Sequence, residues 1–264
     1  MLIHPIIEQL KQIKLHGMLA ALTEQLQDPN SQALSFEERL GIMIDREVAT
    51  QDNKKLGSRL RQAKLRHSQA CLADLDTSSN RQLDNRLITT LSGCEWIKQG
   101  RSTIITGATG TGKSWLACAL GHKACMSGFK VKYYRLSRLM EELMLGKGDG
   151  RYLTIVKALS KVNLLILDDW GMGDVLDNVQ QQQAILDILD DRYNRYATLI
   201  TSQYPIKYWH EKISDPTFAD AILDRLLGGS SYQVELKGPS LRRKINTGQV
   251  DKQKVLCEDS HDDK

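Results

Sequence analysis

Eight consecutive residues, Gly107-Ala108-Thr109-Gly110-Thr111-Gly112-Lys113-Ser114, have the types and spacing of a phosphate-binding loop. Glycines let backbone N–H groups curl around an anion, and a helix N-terminus adds partial positive charge at the same place. In that arrangement Lys113 reaches the β- and γ-phosphates of ATP, the Ser114 hydroxyl ligates Mg²⁺, and Trp115 follows on the helix behind the loop. A second set of candidates is Leu164-Leu165-Ile166-Leu167-Asp168, apolar until its acid, followed by Asp169. A buried strand ending in carboxylates places them beside the phosphate loop, at the C-terminal edge of a parallel sheet. This reads as a Walker B element, in which Asp168 holds Mg²⁺ or its water shell and Asp169 orients or deprotonates the attacking water. In Thr201-Ser202-Gln203, Gln203 either senses phosphate and positions water or is simple strand-end polarity. Arg225 and Arg242 are either stabilisers of transition-state charge or ordinary surface residues.

These groups need a scaffold, and the flanking sequence describes one. Ser102 to Thr106 is a short β-branched run, and Trp115 to Ser127 reads as a helix closed by Gly128. Four further strands are expected at 130–135, 164–168, 198–202 and 232–236, with helical patterns between them. That alternation predicts an α/β fold with a parallel sheet built from crossovers. One helix starts at Ser137 and runs to the glycine-rich 146–150 stretch, and a second covers 151–161, more than a minimal crossover requires. Asn178 to Tyr196 is the next helix. Its four glutamines (180–183) read as helix surface, and Asp190-Asp191 reads as a solvated pair.

The first third reads as helical. Leu15, Leu19, Leu22 and Leu26 keep the rhythm of one helix face, ended by Asp28-Pro29-Asn30. Ser35-Phe36-Glu37-Glu38 matches a capping box that opens a new helix with an apolar stripe of Phe36, Leu40, Met43, Ile44 and Val48. The pattern resumes at Leu56, Leu60 and Ala63 after a break near Gly57. Lys54, Lys55, Arg59, Arg61, Lys64 and Arg66 then form a run of cations with no acid among them. On a helix they either track a phosphate backbone or form a solvated face. Asn85 to Ile97 reads as a helix leading into the first strand. The expected domains are a helical DNA- or partner-binding unit at 1–75, an ATPase domain at 76–246, and a polar tail at 247–264.

Composition agrees with a globular protein. The chain has 264 residues, 41% of them hydrophobic, enough for one full α/β domain and a smaller companion. No apolar run has the length of a membrane span, and no basic-then-apolar leader opens the sequence. The five cysteines (71, 94, 118, 125, 257) are scattered and never spaced as C-x-x-C, which argues against a disulfide framework or zinc site and for a cytoplasmic setting. A net charge of +4 permits a polyanionic partner.

Taken together, the motifs resemble the AAA+ ATPases of the initiator and helicase-loader clade, and in particular the IstB-type transposition helper ATPases of bacterial insertion sequences. The resemblance rests on 34–40 and 53–65 in the helical part, and on GATGTGKSWLACALGHKA (107–124), LLILDDWG (164–171), TSQYP (201–205), DPTFADAILDRL (215–226) and ELKGPSLRRK (235–244). It implies an AAA+ P-loop NTPase core with a five-stranded parallel sheet between helices, preceded by a small all-helical N-terminal domain. It also implies a Mg²⁺-dependent ATPase that oligomerises on duplex DNA, deforms the DNA, and recruits and stimulates the cognate transposase. Gln203 would be the sensor 1 residue in place of a more common Asn, Arg225 the arginine finger and Arg242 the sensor 2 arginine. Asp169 replaces a common Glu, which implies slow or partner-dependent hydrolysis. The extra helical piece would supply Lys147, Arg151, Lys157 and Lys161 as DNA phosphate contacts. A helicase loader of the DnaC type is the nearest alternative, and a small-molecule P-loop kinase the alternative from another class.

Overall fold

The β-branched run before the glycine loop forms β1 (Thr103–Gly107), and four more strands join it: β2 (Val131–Arg135), β3 (Leu164–Trp170), β4 (Ala197–Ser202) and β5 (Tyr232–Leu236). The computed structural model describes residues 3–75, 83–173, 176–228 and 231–241. All strand pairings are parallel, in the order β2-β3-β4-β1-β5. The helices in chain order are α1 (Ile3–Gln12), α2 (His16–Gln27), α3 (Phe36–Ala63), α4 (Asn85–Ser92), α5 (Glu95–Lys98), α6 (Lys113–Met126), α7 (Leu136–Gly148), α8 (Tyr152–Ser160), α9 (Val179–Arg192) and α10 (Pro216–Leu227). No described helix is long and apolar enough to cross a membrane.

The sheet is apolar on both faces, as a parallel sheet covered by helices must be. Leu165, Leu167 and Ile200 face one layer with Leu139, Leu143, Ile185, Ile188 and Ile222, from α7, α9 and α10. The alternate residues face α6, where a Cβ added at Gly121 would lie 2.8 Å from Ile166 Cδ1 and in contact with Val131 Cγ1. Asp168, two residues beyond Ile166, inherits the α6 face.

Several expectations change in detail. The helix expected at 85–97 is two helices, because Cys94 takes a left-handed conformation (φ 60°) between α4 and α5. α3 runs unbroken through Gly57. The glutamine run is not all surface: Gln182 is fully buried, its amide donating to Leu176 O (2.7 Å) and Ser214 Oγ (2.6 Å). Asp190 and Asp191 are exposed but engaged, Asp190 by Arg225 and Asp191 by the Ser160 hydroxyl. Arg192, at the end of α9, is 1% exposed and pairs with no carboxylate among the described residues. Its guanidinium donates to Leu159 O (2.7 Å), Val162 O (2.9 Å), Thr198 Oγ1 (3.1 Å) and Ala197 O, tying α8 to the start of β4. Burial pulls its pKa down to about 9, so at neutral pH it is a buried cation held by backbone dipoles.

The chain divides into two compact units that part between Arg61 and Gln62, upstream of the 75/76 boundary expected from sequence. The segment after Arg61 belongs with the sheet because it packs there. Lys132 Nζ donates to Gln62 O (3.2 Å), Ala63 and Ala70 are buried, and Leu65 Cδ2 lies against Gly121.

In the first unit the capping box forms as expected. Ser35 N donates to Glu38 Oε2 (2.8 Å), and Glu38 N donates to Ser35 Oγ (3.2 Å). The apolar faces differ from expectation. α2 buries Gly17, Ala21 and Gln25 rather than its leucines, and on α3 Phe36, Ile44 and Val48 are exposed. The two helices cross where Gly17 lacks a side chain: a Cβ there would lie 2.5 Å from Arg46 O and 2.6 Å from Glu47 Cα. At that crossing the Glu47 carboxylate caps α2, accepting from Gly17 N (2.6 Å) and Met18 N (3.1 Å).

Candidate functional site

Strand order explains how distant motifs meet. β4 lies between β1 and β3, so the residue just beyond β4 falls between the glycine loop that follows β1 and the carboxylates that end β3. That residue is Gln203, and its Oε1 accepts from Thr109 Oγ1 at 2.5 Å. One residue pair back, Thr201 on β4 donates its hydroxyl to Asp168 Oδ1 and accepts from Asp169 N (3.1 Å). A cavity of about 560 Å³ opens at this strand edge, lined by Arg66, His67, Thr109, Gly110, Gly112, Lys113, Ser114, Trp115, Arg135, Asp169, Met172, Gln203 and Leu241. The sequence motifs converge here as the C-terminal edge of a parallel sheet requires.

The loop's shape depends on glycine at two positions. Gly110 (φ 86°) and Gly112 (φ 96°) lie in the left-handed region, and Gly112 caps α6. Gly110 also carries a close approach: its carbonyl accepts from Leu241 N at 3.0 Å, and an added Cβ would meet Ser240 Oγ at 2.1 Å. Lys113 is buried, with Nζ donating to Gly107 O (2.8 Å) and Ala108 O (2.9 Å), while Thr111 Oγ1 donates to Ala108 O (2.8 Å).

Asp168 is fully buried and densely supplied with donors. Its Oδ1 accepts from Ser114 Oγ (2.9 Å) and Thr201 Oγ1, its Oδ2 accepts from Tyr133 OH (2.6 Å), and Arg66 Nη1 lies 3.8 Å from Oδ2. Burial, reinforced by the Asp168 carboxylate, pushes the Tyr133 hydroxyl well above the ordinary phenol range, so it remains a donor. Strand alternation would send Asp169 to the opposite face of the sheet. Instead β3 carries an extra residue between Leu167 and Trp170 relative to β4, and Asp169 adopts φ 65°. This bulge turns Asp169 back towards the cavity, where Arg135 Nε meets its Oδ2 at 2.8 Å. Holding Asp in that conformation costs roughly 1–2 kcal/mol.

Ser114 Oγ and Asp168 offer adjacent hard oxygen donors, the chemistry that suits Mg²⁺ bound jointly by protein and phosphate. Among the described residues no group of three His, Cys, Asp or Glu side chains could hold a metal by itself, so this donor set fits a cation completed by nucleotide oxygens. Lys113, Arg66 and Arg135 make the cavity wall cationic against the single lining acid Asp169, which fits a polyphosphate.

Other expected residues fall elsewhere. Arg225 pairs with Asp190 (2.6 Å) and lines a separate cavity of about 320 Å³ with Ser102, Tyr196 and Thr198. Those residues sit at or before the starts of β1 and β4, so Arg225 is at the sheet edge opposite the glycine loop. Arg242 and the tail lie outside the described residues. Of the basic run, Lys54, Lys55, Arg59 and Arg61 ride on α3, with Lys55 paired to Asp52 (3.3 Å), and Lys64 follows the helix end with φ 51°. Arg66 departs from expectation: the helix has ended, and the side chain enters the cavity beside Asp168. Arg151 is held by Asp149, Lys147 lies over the Tyr152 ring, and Lys157 and Lys161 are exposed. Sequence reasoning missed Tyr133, Arg135 and Thr201; the alternation of KVKYYR was the available sign that 133 and 135 share a face.

Known proteins resemble this chain along most of its length. The family model described as IstB-like ATP binding protein matches residues 8–248. The insertion sequence ATP-binding protein y4pL of Sinorhizobium fredii is 47% identical over 243 residues, covering 92% of this chain and 98% of that protein. Among solved structures, DnaI superposes with a TM-score of 0.54 at 21% identity, covering 65% of this chain and 90% of DnaI. The DnaC helicase loader superposes with a TM-score of 0.51 at 19% identity, covering 68% of this chain and 99% of DnaC.

Proposed function

The chain belongs to the family of IstB-like ATP binding proteins, and on that premise we propose that it is an ATP-driven helper of transposition. In this reading it binds and hydrolyses ATP with Mg²⁺, assembles on duplex DNA, deforms the DNA, and recruits and stimulates the transposase of an insertion sequence. Its core has the AAA+ P-loop fold shared with the helicase loaders. The observation that carries the nucleotide chemistry is the convergence of Lys113, Ser114, Asp169 and Gln203 at one cationic cavity, with Asp168 bonded to Ser114 just behind its wall.

The residues divide the work as follows. The loop from Gly107 to Gly112 cradles phosphates with its backbone, Lys113 turns its ammonium from the loop's own carbonyls to phosphate oxygens, and Trp115 lines the cavity wall. Ser114 and Asp168 hold Mg²⁺, which neutralises phosphate charge. Asp169 orients water and accepts its proton, with Arg135 fixing the carboxylate, and Gln203 links the loop through Thr109 to the end of β4. Arg225, remote from its own glycine loop, serves the site of a neighbouring copy, so hydrolysis depends on assembly. The printed description of y4pL as an insertion sequence ATP-binding protein supports the transposition setting.

Duplex DNA is contacted through phosphates by Lys54, Lys55, Arg59, Arg61 and Lys64, with Lys147 and Lys157 as further cations. Sedimentation with duplex DNA in ATP, in ADP and with Lys113→Ala tests the whole reading. Large complexes that form only with ATP and only with Lys113 are expected, whereas a nucleotide-indifferent monomer that ignores duplex DNA would overturn it. Charge reversal at Arg59 and Arg61 is expected to weaken DNA binding and flatten its salt dependence. Unchanged binding by the folded variant would remove α3 from the DNA surface.

A further inference from the structure

Arg66 stands beside Asp168, and the chain around it is built to keep it there. α3 ends at Ala63, and Lys64 turns the chain with a left-handed φ of 51°. Leu65 then seats its Cδ2 against Gly121, the one position on α6 where a missing side chain admits it. The next two residues, Arg66 and His67, bring their backbone N–H groups to the Cys118 thiol, one turn behind the glycine loop, where they oppose the rise in its pKa that burial causes. Ala63 and Ala70, on either side, are buried at 0% and 2% exposure. The backbone that carries Arg66 is therefore anchored on both sides, while the Arg66 side chain itself is 44% exposed.

What Arg66 reaches is equally specific. Its Nη1 lies 3.8 Å from Asp168 Oδ2, and its side chain lines the cavity together with Lys113 and Ser114. Asp168 already accepts three hydroxyl donors, from Ser114, Thr201 and Tyr133, so it has little need of a further partner. A guanidinium carries five N–H donors in a fixed fork, and at 3.8 Å Asp168 uses them loosely. The donors that remain face a cavity whose other lining cations, Lys113 and Arg135, also suit phosphate.

We propose that Arg66 is a nucleotide-site residue, a cation contributed in cis by the segment after α3 that contacts the terminal phosphate of ATP. The proposal rests on the nucleotide reading of the cavity given above. The end of the cavity formed by Lys113 and Ser114, in front of Asp168, is the end that handles β- and γ-phosphates, and that is the end Arg66 occupies. ATP carries one more phosphate charge there than ADP, so Arg66 favours ATP and makes the segment following the basic helix sensitive to which nucleotide is bound.

Dissociation constants for fluorescent ATP and ADP analogues, measured with Mg²⁺ on the full chain, test this. The variants are Arg66→Ala, Arg66→Gln, Arg66→Lys and Lys113→Ala. Arg66→Ala and Arg66→Gln are expected to weaken the ATP analogue about tenfold and the ADP analogue by less than about threefold, the modest range of a charge-assisted contact that is partly solvated. Arg66→Lys recovers part of the loss, and nucleotide-free binding to duplex DNA stays at the parent value. Unchanged affinity for both nucleotides would overturn the assignment. So would equal weakening of both with a lowered melting temperature, which marks a structural role, or a selective loss of DNA binding. Retention of both nucleotides by Lys113→Ala would overturn the reading of the cavity itself, and the Arg66 assignment with it.

Discussion

Tyr133→Phe isolates one oxygen behind the Asp168 carboxylate, the proposed Mg²⁺ ligand. Tyr133 is 9% exposed, and its hydroxyl donates to Asp168 Oδ2 at 2.6 Å; the ring packs on the α6 side of β2 whether or not the hydroxyl is there. Removing the oxygen therefore opens almost no cavity and withdraws one hydrogen bond from a buried carboxylate, a loss of about 1.5–3 kcal/mol. For a domain of this size that corresponds to a fall in melting temperature of roughly 3–12 °C. The remaining donors to Asp168, Ser114 and Thr201, both act on Oδ1, so Oδ2 keeps only Arg66 at 3.8 Å and the carboxylate is free to rotate. Partners of this kind behind a metal ligand are worth about tenfold in metal affinity. Titration of Mg²⁺ at fixed nucleotide, followed by a fluorescent ATP analogue, should show a half-saturation about tenfold higher than the parent, with Mg²⁺-free nucleotide binding unchanged. A variant with the parent's melting temperature and Mg²⁺ dependence would refute the claim that this hydroxyl holds Asp168.

Three further perturbations test the scaffold. Gly17→Ala drives a methyl into Arg46 O and Glu47 Cα, backbone atoms that cannot rotate aside, and should destabilise the α2–α3 crossing by about 1–3 kcal/mol in urea denaturation. Glu47 has its pKa lowered by the Gln51 amide first, then by Met18 N–H and Gly17 N–H, with burial opposing. A depressed carboxylate contributes stability that is present above its ordinary value of 4.5 and lost as pH falls through the folded value below it, so Glu47→Gln should flatten the acid side of the melting-temperature profile. Arg192→Met withdraws a charged donor from the carbonyls of Leu159, Val162 and Ala197, at about 1.5–3 kcal/mol each, partly offset by removal of a desolvated charge. The net effect should be a loss of about 2–5 kcal/mol, and Arg192→Lys should restore little of it because one ammonium cannot span acceptors on two elements.

The sheet was legible in the sequence because each strand is a short β-branched, apolar or alternating run, and parallel pairing leaves little freedom once glycine loop and carboxylates must share an edge. Helix boundaries and packing faces were harder. Leu15, Leu19, Leu22 and Leu26 share one side of α2 but none of them is fully buried, and the contact with α3 is made by Gly17, Ala21 and Gln25, since close backbone approach and a capping carboxylate decide that crossing. Periodicity reports which residues share a face, not which face meets a neighbour. Gln182 read as ordinary helix surface for a related reason: its burial follows from hydrogen-bond acceptors outside its own helix, Leu176 O and Ser214 Oγ, that no local pattern announces.

The candidate site divides in the same way. Residues whose role depends on type and spacing, Lys113, Ser114 and Asp168, fall where the motif predicts. Asp169 needed a bulge as well, because two adjacent strand residues point to opposite faces and only the extra residue with φ 65° turns its carboxylate back to Arg135. Arg66 shows what charge patterning cannot resolve. In the sequence it is the sixth cation of a run and looks equivalent to Arg59 and Arg61. One left-handed residue at Lys64 ends the helix between them, and Leu65 finds the gap left by Gly121. The backbone of Arg66 and His67 comes to the Cys118 thiol, and the last cation of the run reaches Asp168 while its side chain stays about half exposed. A basic run is therefore not one functional unit when a helix terminus falls inside it, and each of its charges takes its role from the surface its own backbone is anchored to.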